Sequence, residues 1–281
     1  MKGQVYKAHS DKFLVCTENG MQRVGLRGIL RRQHDRVVVG DYVEIEYGTI
    51  SKVLERKNFF TRPCVANIDT VVIVVSPEPK PDFLLIDKLV VNALYENIEI
   101  VFAVNKSDVS DEMFEVIKQE YSTIGATFFK VGAIRKDGVQ EFSKQLENKL
   151  VLFAGQSAVG KTSLVNALFG TSLRTGDLSE KIMRGKHTTT HSEIHSFFDK
   201  RIIDTPGFAV IEARIKADEL KDYYPEYASL AKDCKFRGCN HVNEPECAVK
   251  TAIEQGKLSK DRYQRFLQIY NELKEKEKYD E

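Results

Sequence analysis

The 281-residue chain has no run of about 18 apolar residues, which excludes a membrane-spanning helix, and its opening MKGQVYKAHS lacks the apolar stretch of a signal peptide. A cytoplasmic protein is expected. Net charge is nearly absent too. With 42 Lys and Arg against 41 Asp and Glu, the formal charge of +1 is too small for a wholesale polyanion binder, so any nucleic-acid surface must be a local patch. Cysteine is scarce: an odd five, three of them crowded between 234 and 247, suit metal ligation in a reducing compartment better than a disulfide framework. What is present is 42% hydrophobic residues, enough for real cores, over a length that calls for two or three domains.

The chain is organised around residues 150–168, LVLFAGQSAVGKTSLVNAL. The apolar run Leu150 to Ala154 is short and continuous, as in a buried parallel strand. It ends in Gly155, and from there to Thr162 the spacing is G-x4-G-K-S/T, followed by Ser163 and a helical pattern. That is a phosphate-binding loop in its required setting of strand, loop and helix. Gly155 and Gly160 permit backbone angles that let the N–H groups of Gln156, Ser157, Ala158, Val159 and Lys161 turn inward on phosphate oxygens at a helix N-terminus. Lys161 adds a point charge on the terminal phosphates, and the Thr162 hydroxyl can take a site on Mg²⁺.

Residues 1 to about 60 carry short strand-like runs, Phe13 to Val15, Arg36 to Val39 and Tyr42 to Ile45, separated by glycine turns, which indicates a small all-β barrel. Eleven basic against seven acidic residues give this stretch +4, and Arg23, Arg27, Arg31, Arg32 and Arg36 fall within fourteen positions. The cluster reads either as an RNA-binding patch or as an ordinary solvated face. Tyr6, Phe13 and Tyr42 can stack bases, but core packing is their expected use.

A second composition begins near Arg62-Pro63. The β-branched run Ile68 to Val75, a helical pattern over Phe83 to Tyr95 and the strand Ile100 to Val104 alternate as in an α/β sheet. At the C-terminal end of the last strand sit Asn105, Lys106, Ser107 and Asp108, similar to the N-K-x-D guanine-specificity motif of GTPases. The Asp108 carboxylate can accept from guanine N1–H and N2–H₂, a donor pair that adenine lacks, which disfavours an ATP-driven enzyme. The strand Thr127 to Val131 leads to Gly132-Ala133, which resembles the Ser-Ala loop whose Ala N–H meets guanine O6; Gly132 keeps the backbone donor but lacks a bracing hydroxyl.

Beyond the phosphate loop come Arg184 to Thr190, a candidate first switch, and Asp204-Thr205-Pro206-Gly207, the D-x-x-G of a second. Base-reading motifs therefore precede phosphate-reading ones, the reverse of a conventional GTPase. Because domain termini lie close together, they can be joined and the chain opened elsewhere without moving any site loop: this is a circularly permuted GTPase. Near the end, Cys234, Cys239, His241 and Cys247 fall within fourteen residues, a Cys₃His set suited to one closed, structural Zn²⁺ site per chain. Tyr263, Phe266, Leu267, Tyr270 and Leu273 then share one helical face.

With barrel, permuted GTPase and Cys₃His element in that order, and with G-K-H-T-T-T in the first switch, the whole chain resembles the RsgA (YjeQ/YloQ) family of bacterial ribosome-biogenesis GTPases. The expected architecture is an oligonucleotide-binding-like barrel at 1–62, a permuted GTPase at 63–215 and a mostly helical zinc domain at 216–281. The resemblance implies Mg²⁺-dependent hydrolysis of GTP to GDP and phosphate by a monomer that binds the small ribosomal subunit and its rRNA late in maturation, with no DNA or membrane partner. Thr189, or alternatively Thr188, is expected on Mg²⁺. His187 is the candidate to orient water, since Phe208 stands where many GTPases place a Gln. The other reading is a binding module in which nucleotide only stabilises an RNA-binding scaffold.

Overall fold

Tight turns join strands Lys2–His9 (β1), Lys12–Thr17 (β2) and Gly20–Leu26 (β3); β2 buries the alternate residues Phe13 and Val15, whereas β1 buries Gln4, Val5 and Tyr6 in a row. The structure, a computed structural model, describes residues 1–28, 36–107, 110–169, 192–197, 199–204 and 215–280. Tyr42–Glu46 (β4) and Thr49–Val53 (β5) close a barrel: β1 pairs with β2, β2 with β3, β3 with β5 in parallel, β5 with β4, and β4 with β1. Val5, Phe13, Val15, Val24, Val43, Ile45 and Ile50 fill it. The seam between β3 and β5 is short, pairing Gly25 with Thr49 and Leu26 with Ile50.

The stretch Arg36 to Val39, expected as a strand, is not one. Val37, Val38 and Val39 are buried, but an aspartate captures their backbone: the Val38 N–H donates to the Asp41 carboxylate at 2.8 Å, and the Asp41 N–H returns to the Val38 carbonyl at 3.2 Å. Arg56 holds that carboxylate bidentately at 2.6 and 2.9 Å. A buried, satisfied Asp thus replaces a ladder with a turn. Phe59–Thr61 (β6) and Cys64–Ala66 (β7) follow as a hairpin.

The apolar runs of the middle segment form a parallel sheet. Thr70–Val75 (β8), Glu99–Val104 (β9), Thr127–Lys130 (β10), Leu150–Ala154 (β11) and Lys200–Asp204 (β13) run parallel, and Glu193–Phe197 (β12) is antiparallel beside β13. The spatial order is β10-β9-β8-β11-β13-β12. Numbered from β11, that order becomes 6-5-4-1-3-2, a doubly wound sheet whose winding reverses between β8 and β11. Alternate residues of β8 go to opposite, equally dry faces. Val71, Ile73 and Val75 pack under helices Phe83–Tyr95 (α1) and Glu112–Glu120 (α2), whereas Val72 and Val74 meet Phe142 of Val139–Gln145 (α3) and Leu164 of Lys161–Phe169 (α4). Burial on both faces is why these strands read as unbroken apolar runs.

Barrel and sheet are continuous through β1, which pairs with β12 at Lys7 and Glu193. A bulge between Val5 and Lys7 turns Val5 into the barrel core and Tyr6 into the core under the sheet, where its hydroxyl accepts from Ser196 at 2.9 Å. The C-terminal segment comprises Pro225–Ala231 (α5), Ala248–Glu254 (α6) and Lys260–Asp280 (α7). It packs on the outer face of α1, with Val91 joining Tyr224, Tyr227, Phe266 and Ile269. Covered on two sides, α1 buries Ile86, Asp87, Leu89, Val90, Val91, Asn92 and Ala93. Among the described residues no helix is long and apolar enough to cross a membrane.

Candidate functional site

Four loops meet where the winding of the sheet reverses, at the C-terminal ends of β8, β9, β10 and β11. This is where open α/β sheets place ligands. The loop after β11 spans 155–160 and feeds α4 directly, the Leu164 N–H donating to the Gly160 carbonyl at 2.9 Å. Gly155 lies at φ +135, and a Cβ there would stand 2.4 Å from the Val74 carbonyl oxygen; Gly160 lies at φ +90, with a Cβ 2.3 Å from Asn105 Nδ2. Both glycines are therefore required by close approach as well as by backbone angle. Ala158 adopts φ +64, and Val159 buries its side chain below the loop. The Lys161 ammonium folds over the loop, donating to the Gly155 carbonyl at 2.7 Å and the Gln156 carbonyl at 2.6 Å, and burial lowers its pKa. Thr162 and Ser163 occupy the next two positions of α4, both half-buried at the helix start. An anion resting in this loop at the start of α4 would meet both the helix dipole and the Lys161 charge.

Asn105 joins this loop to its neighbours. It is 2% exposed, its Nδ2 donates to the Val159 carbonyl at 2.9 Å, and its Oδ1 accepts from the Ala133 N–H at 3.1 Å. One amide therefore ties together the loops after β9, β10 and β11. Lys106, at φ +59, lays its side chain across the same junction, donating to the Glu78 carbonyl at 2.5 Å and the Ala158 carbonyl at 3.1 Å. The Ala133 donor is thus already engaged by Asn105, so a guanine O6 would have to share or displace that bond. Beside it, a Cβ at Gly132 would lie 3.1 Å from Ser107 Oγ. The Ser107 hydroxyl thus sits directly beside position 132.

Asp204 ends β13, the strand adjacent to β11, so its backbone reaches the same end of the sheet. Asp108, His187, Thr188, Thr189 and Gly207 lie outside the described residues, as do Arg31 and Arg32. Of the other barrel arginines, Arg23 and Arg36 are exposed, and Arg27 pairs with Glu46 at 3.3 Å. Tyr6 and Phe13 are core residues, while Tyr42 is 42% exposed.

In the C-terminal segment Cys234, Cys239, His241 and Cys247 converge, their ligand atoms all within 4.8 Å of one another. Cys234 Sγ lies 3.9 Å from Cys247 Sγ and 3.7 Å from His241 Nδ1, and His241 Nδ1 lies 3.3 Å from Cys247 Sγ. Zinc–sulfur bonds of ~2.3 Å at a tetrahedral ion put sulfurs about 3.8 Å apart, so the cluster has the size of a four-coordinate zinc site. Burial pushes the Cys239 thiol up to about 12 and the His241 imidazole down, and a divalent cation would favour the thiolates that burial alone resists. Around the cluster, Lys221 donates to the Gly238 carbonyl and Asn240 Oδ1 at 3.0 and 2.9 Å, and the Tyr263 hydroxyl donates to the His241 carbonyl at 2.8 Å.

A family model for the RsgA GTPase matches residues 53–214. A protein of Geobacillus sp. (strain WCH70) named small ribosomal subunit biogenesis GTPase RsgA is 37% identical, with 98% of each chain covered. The chain belongs to the RsgA GTPase family. The protein of that name from Thermotoga maritima is 39% identical over 97% of this chain and 96% of its own. Among solved structures, YjeQ from Thermotoga maritima superposes with a TM-score of 0.81 at 36% identity, covering 97% of this chain and 98% of that one. YloQ, described as a circularly permuted GTPase, superposes at 0.75 with 28% identity, covering 98% and 95%. The RsgA fold thus carries the expected barrel, permuted GTPase and Cys/His cluster.

Sequence reading missed the polar groups that brace the RsgA site from outside its motifs. Glu78, Lys80 and Asp82, in the loop after β8, contact the site through backbone atoms. A backbone contact leaves no residue-type signal, so only the three prolines at 77, 79 and 81 hinted that this loop has a fixed shape.

Proposed function

We propose that this chain is a Mg²⁺-dependent GTP hydrolase that acts in late maturation of the small ribosomal subunit, binding the subunit and its rRNA. The observation that carries the nucleotide part is Asn105, whose two hydrogen bonds hold the base-side loops against the phosphate loop. In this reading the N–H groups of 156–161 cradle the phosphates, Lys161 neutralises them, and Thr162 and Thr189 hold Mg²⁺. Ser163 continues the helix start. Asp108 reads guanine, Ala133 faces O6 and Lys106 lines the base. Asp204 and Gly207 sense the γ-phosphate, and His187 orients the attacking water. The Cys₃His cluster holds one structural Zn²⁺. The subunit reading is supported by the shared name of the relatives and by the arginines of the barrel. Small-subunit co-sedimentation tests it: binding is expected with a non-hydrolysable GTP analogue and weaker with GDP, and failure to bind with either would refute it.

A further inference from the structure

The second residue of the phosphate loop has a side chain that no phosphate needs. Gln156 turns away from the loop interior and spans a neighbouring backbone: its Nε2 donates to the Lys80 carbonyl at 3.2 Å, and its Oε1 accepts from the Asp82 N–H at 3.0 Å. Asp82 is also the N-cap of α1, its carboxylate accepting from the Leu85 N–H at 3.0 Å. The carboxamide therefore fastens the loop to the start of α1, a helix largely buried against the GTPase sheet. The carboxamide does both jobs at once, its NH₂ donating to a carbonyl while its oxygen accepts from an N–H.

We propose that Gln156 is a positioning residue that pre-orders the phosphate loop before nucleotide arrives, through the Lys80 and Asp82 backbone. The loop has other reasons to be mobile. Its residues 156–158 and 160 are not buried, it holds Ala158 at φ +64, and its chief internal ties come from the Lys161 ammonium, which a phosphate would recruit. Asn105 and Lys106 fasten its far end at Val159 and Ala158, and Gln156 fastens its near end. A loop held at both ends meets the phosphates already shaped, so binding orders less chain. The β-phosphate lies in both GTP and GDP. Losing the clamp should therefore weaken both by the same factor, the signature of uniform binding.

The inference rests on nucleotide binding at this loop, and the test separates the two. Gln156→Met keeps length and volume but can neither donate to Lys80 nor accept from Asp82. Titration with GTP and GDP should show each Kd raised about five- to thirtyfold, as expected for two lost neutral hydrogen bonds, and by the same factor for the two nucleotides. Gln156→Glu, which retains the acceptor for Asp82, should fall between wild type and Met when compared at high salt. Wild-type affinity for both nucleotides in Gln156→Met would overturn the proposal while leaving the GTPase reading intact; a wild-type protein that binds neither would overturn both. Amide exchange supplies a readout that needs no variant. The Asp82 N–H should already be protected in nucleotide-free protein, and protection arising only with GDP would refute pre-ordering.

Discussion

Asp87 of α1 and Arg262 of α7 form an ion pair at 3.5 Å in which both side chains are almost fully buried, 1% and 4% exposed. Arg265 hydrogen-bonds the other carboxylate oxygen through Nε, and the Tyr121 hydroxyl donates to Asp87 at 2.8 Å. Burial pushes the Asp87 carboxyl up, and the two guanidiniums pull it back. Arg262 also pairs with Glu226 at 2.6 Å and Arg265 with Glu120 at 2.5 Å, so each charge in the group is answered. The segment that carries the Cys/His cluster is thereby fixed to the GTPase sheet through α1.

Removing the shared carboxylate would leave two buried guanidiniums short of a partner. Asp87→Ala should cost about 3–5 kcal/mol of stability, the usual penalty for breaking a buried pair from one side. Urea unfolding should report that loss, and limited proteolysis should find the segment after residue 215 cleaved first. A change below ~1 kcal/mol would mean that apolar packing of Val91 against Phe266 and Tyr224 fixes the segment without the charges.

The phosphate loop admits a sharper substitution. A methyl at Gly160 would stand 2.3 Å from Asn105 Nδ2 at a φ of +90, so Gly160→Ala should expel Asn105 from its bond to Val159. Affinity for GTP should fall by well over about tenfold, and the strain should lower the melting temperature as well. Lys161→Ala should likewise abolish tight binding, whereas Thr162→Ala should retain nucleotide and lose Mg²⁺-dependent hydrolysis. Unimpaired GTP binding by Gly160→Ala would remove Asn105 from the site.

The parts legible in the sequence were those with a local signal. Helix α1 spans Phe83–Tyr95 as its spacing predicts, and β11 spans Leu150–Ala154, because a run dry on both faces and a phosphate-loop glycine leave little choice. Cys234, Cys239, His241 and Cys247 meet as their spacing predicts, because thiols and imidazole are few and closely spaced. What the sequence hid is carried by tertiary contact. Nothing in KLVV announces that Asp87, one residue before Lys88, faces two arginines some 175 positions away. The Arg36 to Val39 run has strand composition, yet Asp41 captures its backbone; the β1 bulge that sends Tyr6 and Val5 into different cores is equally silent.

Zinc gives an independent check on the C-terminal segment. Metal analysis should find about one Zn²⁺ per chain, and Cys239→Ala or His241→Ala should unfold the segment, since binding energy in small metal domains is folding energy. GTP binding should survive. Metal-free protein with an intact, protease-resistant C-terminus would contradict the assignment.

Base choice rests on Asp108. Asp108→Asn should weaken GTP and favour xanthosine triphosphate, whose C2 oxygen replaces the guanine donor, each charge-assisted bond contributing about 1.5–3 kcal/mol. Competition binding with the two nucleotides measures it, and an unchanged guanine preference would take Asp108 out of the base pocket.

We propose that this GTPase is switched on by the particle it serves. Phe208, following D-x-x-G, can neither accept a proton nor hold a water, so hydrolysis by the isolated protein should be slow. The decisive measurement is steady-state GTP hydrolysis with and without purified small ribosomal subunits. Stimulation of more than about tenfold, or roughly 1.4 kcal/mol of barrier, is expected, and His187→Ala should lose most of it. An identical rate in the presence and absence of subunits would contradict the account.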